Sequence, residues 1–152
     1  MSLPDLRIMT EKPLRSTLRL ESFVRAIRML RKAVEQVEPL DADELTLEEE
    51  GLIQRFEYCF ELGWKLLKDL ALESQEGGEI KVGGPRDAIR WGYGSGWIAD
   101  GEVWMDMLRS RNLTSHLYDR TEVQPTLLRI RGSYFRALHG LQVAVEDAAA
   151  GR

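Results

Sequence analysis

The sequence predicts an all-α protein: an up-and-down bundle of four main helices and one short helix, folded as a single domain. Three observations predict it. Apolar residues recur at steps of three and four through most of the chain. Residues that start and stop helices bracket those stretches. No segment alternates apolar and polar residues between hairpin turns, and there is no internal repeat or low-complexity run. The expected organisation is a flexible N-terminal arm over 1–15, the bundle over 16–147 and a frayed tail over 148–152.

The arm carries Pro4 and Pro13 and little periodicity. Helix one is expected from Ser16 to Glu38. Leu20, Phe23, Ile27, Leu30, Val34 and Val37 form its buried stripe, Arg25, Arg28, Arg31, Lys32 and Glu35 its solvated face, and Pro39 its stop. Thr46 and Glu49 have the spacing of a capping box, in which hydroxyl and carboxylate each satisfy a free backbone N–H. A long second helix should follow from Leu47 to about Ser74, with Leu52, Ile53, Phe56, Phe60, Trp64, Leu67 and Leu70 inward and Gly77-Gly78 ending it. Gly84-Pro85 opens a short helix, which Gly92, Gly94 and Gly96 weaken at its exit. Asp100 is a good N-cap for helix four, Gly101 to about Ser115. Helix five starts at Thr121 and has Leu128, Phe135, Leu138, Leu141 and Val145 as its core stripe.

Composition narrows the function classes. The chain of 152 residues is 30% charged, and no apolar run reaches the ~18 residues of a spanning helix. The N-terminus has no continuous apolar core of the kind a signal peptide needs, so a cytoplasmic location is expected, with no membrane association. The single cysteine, Cys59, cannot form an internal disulfide and lies in an aromatic helical run, where a buried inert thiol is expected. The net charge of −4 removes the broad basic footprint of a duplex-binding protein but leaves room for a local site for a short RNA segment. No cofactor is expected, and no Cys/His set has zinc spacing.

Hydrogen-bonding chemistry gathers at the end of helix four, in RNLTSHLYD. At ~100° per residue, Trp104, Met107, Leu108, Arg111, Ser115 and Tyr118 follow one stripe. Arg111 therefore continues an apolar face, and must snorkel outward, pair with a carboxylate, or line a cavity or interface. Asn112 and His116 are neighbours on an adjacent face, where the amide can fix the imidazole tautomer. Arg111 and His116 lie about 140° apart on an ideal helix, so one unbroken helix does not aim both at one atom. Either the helix ends nearby or the site is completed across a dimer axis. These residue types suit phosphodiester chemistry: histidine takes a proton near neutral pH and arginine holds phosphate oxygens. Capping and surface chemistry at a helix end also account for an Arg–His pair.

Arg111, His116 and Tyr118 resemble the R-x4-H-x-Y motif of HepT-like toxins in the HEPN superfamily. Beyond the motif, LESFVRAIRMLRKAVE, GLIQRFEYCFELGWKLLKDL, GPRDAIRWGYGSGWI and DGEVWMDMLRSRNLTSHLYD, in that order over residues 18 to 145, resemble the nucleotidyltransferase substrate-binding protein family. The resemblance implies a homodimeric helical bundle with the motif near the dimer interface, and a minimal nucleotidyltransferase as partner. It implies one of two roles, a substrate-binding subunit or a metal-independent RNase toxin neutralised by that partner. In the toxin scheme Arg111 and His116 are catalytic, Asn112 and Ser115 are supporting, and the partner transfers AMP to Tyr118. The substrate is then RNA or a nucleotide.

Other groups have weaker patterns. Glu57, Glu61 and Lys65 are spaced as an i,i+4 ladder, which a solvated set of ion pairs explains better than a metal site. Gly83-Gly84-Pro85-Arg86 reads as a turn and cap before it reads as an anion cradle. Trp91, Tyr93 and Trp97 can stack on bases, but bundle core and dimer contact are the commoner fates of such aromatics. Trp104 and Met107 read as core or dimer interface, and His139 is assigned no role. Three functional readings follow: an RNase, a binding subunit for a nucleotidyltransferase, and a dimeric adaptor in which the motif is only capping.

Overall fold

A computed structural model describes residues 13–38, 44–74, 81–113 and 120–151, with backbone alone for 112–113 and 120–122. Every regular element among the described residues is helical: α1 Arg15–Gln36, α2 Leu47–Glu73, α3 Pro85–Gly94, α4 Gly101–Leu113, α5 Arg120–Arg129, a π-helical turn Ile130–Tyr134, and α6 Phe135–Ala149. The last three form one continuous rod, the expected fifth helix. Pro39 and Gly77-Gly78, expected to stop α1 and α2, lie outside the described residues.

Helices α1 and α2 are the antiparallel spine. Ser16 donates through its backbone N (3.0 Å) and its hydroxyl (2.5 Å) to the Glu73 carboxylate. A carboxylate from the end of α2 thus satisfies one of the free N–H groups that open α1, where the helix dipole favours negative charge. One turn further in, Arg19 pairs with the buried Asp69 at 3.0 Å. At the other end Arg55 donates to the carbonyl of Met29 at 2.9 Å. The start of α2 is the capping box that Thr46 and Glu49 predict, with Glu49 N on the Thr46 hydroxyl and Thr46 N on the Glu49 carboxylate, both at 3.1 Å.

The core runs along these two helices and takes one face of each remaining element. Phe23, Ile27 and Leu30 of α1 meet Leu52, Phe56, Phe60, Leu66 and Leu67 of α2, all at most 2% exposed. Leu20, Val34, Val37, Trp64 and Leu70 of the expected stripes pack partly buried against them, and the basic face of α1 is exposed. Two glycines set how closely the helices approach. A Cβ on Gly63 would lie 3.0 Å from the Trp104 ring, so α4 packs its tryptophan against bare backbone of α2. A Cβ on Gly92 would lie 2.8 Å from Leu67, so this glycine, expected to weaken α3, is where α3 seats on α2.

The stripe of the last rod differs from the expected one. Val123, Leu127, Ile130, Tyr134, Leu138, Leu141 and Val145 are buried, Phe135 is partly buried, and Leu128 is 58% exposed. Leu128 sits ~100° round the helix from Leu127, and only one of the two can face the core. The intervening π turn keeps Ile130 and Tyr134 on the inner line.

Candidate functional site

The site is built on α4. The Asp100 carboxylate caps it, accepting from Glu102 N at 3.1 Å and Val103 N at 3.2 Å. Trp104, Met107 and Leu108 are buried and fix the helix to the bundle. That settles the Trp104–Met107 stripe as core. Ser110 and Arg111 come next, where the apolar face runs out.

Arg111 resolves its predicted conflict by pairing. Its Nη1 lies 2.5 Å from Oε1 of Glu61 on α2, and its guanidinium carbon stands 5.8 Å from the centre of the Phe60 ring. The other Glu61 oxygen accepts from the Trp64 indole at 3.0 Å. Glu61 therefore leaves the solvated ladder expected for it with Glu57 and Lys65 and instead orients the arginine, while Lys65 lies over the Trp64 ring. Both members of the pair keep solvent access, at 28% and 35%. The arginine plane is thus fixed at the rim of the core rather than sealed inside it.

Behind Arg111 lies a polar network that the periodicity did not reveal. The Tyr134 hydroxyl, brought inward by the π turn, donates to Oδ2 of Asp106 at 2.6 Å and is 2.6 Å from the Ser110 hydroxyl. A phenol has one proton to give, so Ser110 is the donor to Tyr134. Arg109 (3.2 Å) and Arg129 (3.8 Å) flank Asp106. Burial pushes Asp106 upward, but hydrogen bonds from Tyr134 and Arg109 and the charges of Arg129 and Arg109 outweigh it, so the carboxyl titrates below its usual range. Burial, reinforced by the bond to Asp106, pushes the Tyr134 phenol up to about 12. The only sequence trace of this network is the i,i+4 spacing of Asp106 and Ser110.

Among the expected site residues, Arg111 is placed in full and Asn112 by its helical backbone alone. Ser115, His116 and Tyr118 lie outside the described residues, and so does the expected grouping of Arg111 with them. Elsewhere the turn reading of Gly83–Arg86 holds: the Asp87 carboxylate accepts from Gly83 N at 3.1 Å, so the protein's own anion occupies that position. Cys59 is fully buried and its thiol pushed up to about 12 by that burial. Among the described residues no three His, Cys, Asp or Glu side chains are placed to hold a metal ion, and no helix is long and apolar enough to cross a membrane.

These features define a helical bundle with an arginine-centred polar site at the end of one helix. The chain belongs to the family described as nucleotidyltransferase substrate binding protein like, which matches residues 18–147. It is similar to a probable ribonuclease HepT of Haemophilus influenzae, 32% identical over 81 residues, which is 53% of this chain and 56% of that protein. The chain thus matches little more than half the length of that relative. Its fold is similar to a crystal structure of a protein from Thermus thermophilus, with a TM-score of 0.64 at 27% identity over 78% of this chain and 94% of the other.

Proposed function

We propose that this protein is the helical component of a two-component nucleotidyltransferase toxin–antitoxin system, a homodimeric, metal-independent endoribonuclease of the HEPN type. The observation that carries the reading is Arg111, fixed by Glu61 at the rim of the core, as the first residue of an R-x4-H-x-Y sequence in a chain similar to a probable ribonuclease. In this reading His116 accepts the proton of a ribose 2′-hydroxyl. The 2′-oxygen bonds to phosphorus as the bond to the 5′-oxygen breaks, and the leaving 5′-oxygen takes a proton from water, which leaves a 2′,3′-cyclic phosphate and a 5′-hydroxyl. Arg111 holds the phosphate oxygens and stabilises the charge that develops on them. Asn112 and Ser115 support the imidazole and the phosphate.

A minimal nucleotidyltransferase is the proposed partner and neutralises the toxin by transferring AMP from ATP to the Tyr118 hydroxyl, which loses its proton as pyrophosphate leaves. Arg111 and Tyr118 are seven apart in the sequence, so in this reading an added phosphate and adenine come within reach of the arginine and block it. The second reading, a non-catalytic substrate-binding subunit for that nucleotidyltransferase, is favoured by the family description and by the net charge of −4.

The test is cleavage of total RNA and tRNA by purified protein in EDTA, wild type against His116→Ala. Cutting that disappears in the variant is expected. A folded wild type that leaves RNA intact sinks the RNase reading in favour of the binding subunit. The modification step is tested with partner and ATP: Tyr118→Phe should escape inhibition, and undiminished inhibition would remove AMP transfer as the mechanism.

A further inference from the structure

Helices α3 and α4 diverge from the turn between them and leave an open groove of 780 Å³. Arg90 and Tyr93 line one wall; Glu102, Met105 and Arg109 line the other. Arg109 and Arg111 are two apart, ~200° around the helix, so the groove opens on the far side of α4 from Arg111. None of its lining residues belongs to the motif.

Of the three aromatics in the WGYGSGW stretch, Trp91 and Trp97 pack partly buried against the core, and Tyr93 stays 60% exposed. Its ring lies beside the first residue of α4, where a Cβ on Gly101 would come within 3.4 Å of Cγ and Cδ2. The ring thus lies over the start of α4 with most of its surface open. Arg90 is exposed and makes no ion pair among the described residues. Arg109 is held at 3.2 Å by Asp106 and is 67% exposed. Asp100 already spends its carboxylate on capping α4, whereas Glu102 is exposed with no side-chain hydrogen bond or ion pair among the described residues.

We infer that this groove is a second site, binding one nucleotide unit. The base stacks on Tyr93, Arg90 and Arg109 take the phosphate, and Glu102 accepts from a ribose hydroxyl or a base amino group. The mixture of groups selects this class. A bare polyphosphate meets two carboxylates, Asp100 and Glu102, at the same wall. An apolar ligand leaves the Arg90 guanidinium, which has no ion pair among the described residues, without a partner. A single nucleotide uses the ring, the cations and the acceptor together, and the volume is in the range of small-ligand sites. The site stands whether or not the protein cleaves RNA, because none of its groups belongs to the motif.

The test is calorimetric titration of the full chain with AMP, adenosine, inorganic phosphate and a penta-adenylate carrying 2′-O-methyl sugars, which 2′-hydroxyl attack cannot cut. Saturable AMP binding is expected, weaker with adenosine and weakest with phosphate. Tyr93→Ala and Arg90→Gln should each weaken it by about fivefold or more, while Tyr93→Phe, which keeps the stacking ring, preserves it. Arg90 is a surface residue, so its variant tests the site even if Tyr93→Ala loosens the fold. Tighter binding of the oligomer than of AMP assigns the site to a nucleotide within a chain; equal or weaker binding assigns it to a free nucleotide. The proposal is overturned by no saturable binding of AMP or oligomer at millimolar concentration, by phosphate binding as well as AMP, or by binding that falls with Arg111→Ala and survives the groove variants.

Discussion

Glu61 and Arg111, fifty residues apart in the chain, meet at 2.5 Å, and the pair fixes an arginine where the core ends. With each side chain about a third exposed, the pair contributes on the order of 1 kcal/mol or less to stability. Its value is orientation. Glu61→Gln keeps the size and removes the charge, so the midpoint of thermal unfolding should barely move. Under the proposed function, RNA cleavage should drop by about tenfold or more as the guanidinium loses its orientation. Full activity in this variant would show that Arg111 needs no carboxylate to hold it.

Gly63 tests the packing of α4 on the spine. Any side chain there meets the Trp104 ring at 3.0 Å and the Phe23 ring at 3.3 Å, and both rings are buried. Gly63→Val should destabilise the fold by about 2 kcal/mol or more through overpacking, which a urea titration reads directly. An unchanged midpoint would mean that α4 shifts freely on α2.

Much of this architecture is legible in the sequence because its causes are local. Thr46 and Glu49 are three apart, so their cap is written in adjacent turns. Asp100 announces the start of α4 in the same way. Arg111 is legible as an anomaly, a charge on an apolar stripe, but its partner is not: Glu61 belongs to another helix, and its own spacing to Glu57 and Lys65 points to a local ladder. Leu127 and Leu128 show another limit. Both are leucine, both fit a period between three and four, and only the packed bundle decides which faces inward. Gly92 reads as a weak point by helix propensity, whereas its worth is the contact with Leu67 that no local rule encodes. Tyr134, Ser110 and Asp106 come together through a π turn, which changes the winding that periodicity arguments assume.

Cys59 should be chemically silent. It is fully buried, and its thiol titrates near 12 rather than near 9. A thiol-reactive disulfide reagent at neutral pH should react with the native protein only as fast as the protein opens, and at full rate in denaturant. Rapid stoichiometric reaction with the native fold would contradict the packing of α2.

The Asp106–Tyr134 bond carries a pH signature at both ends of the scale. Asp106 has a depressed native value, so it stabilises the fold above the unfolded carboxylate value of about 4. That contribution is lost as pH falls from there through the lower native value. Tyr134 is raised, so its contribution is complete below the unfolded phenol value of about 10 and fades as pH rises through about 12. Tyr134→Phe keeps the ring that stacks on Phe56 at 5.2 Å but removes the proton donor. It leaves the buried Ser110 hydroxyl without its acceptor and should cost about 1–2 kcal/mol near neutral pH. The variant should also lose stability less steeply than wild type below about pH 4 and above about pH 10. Chemical denaturation across that range distinguishes this from simple loss of packing, which would lower the stability curve by a constant amount and leave both slopes in place.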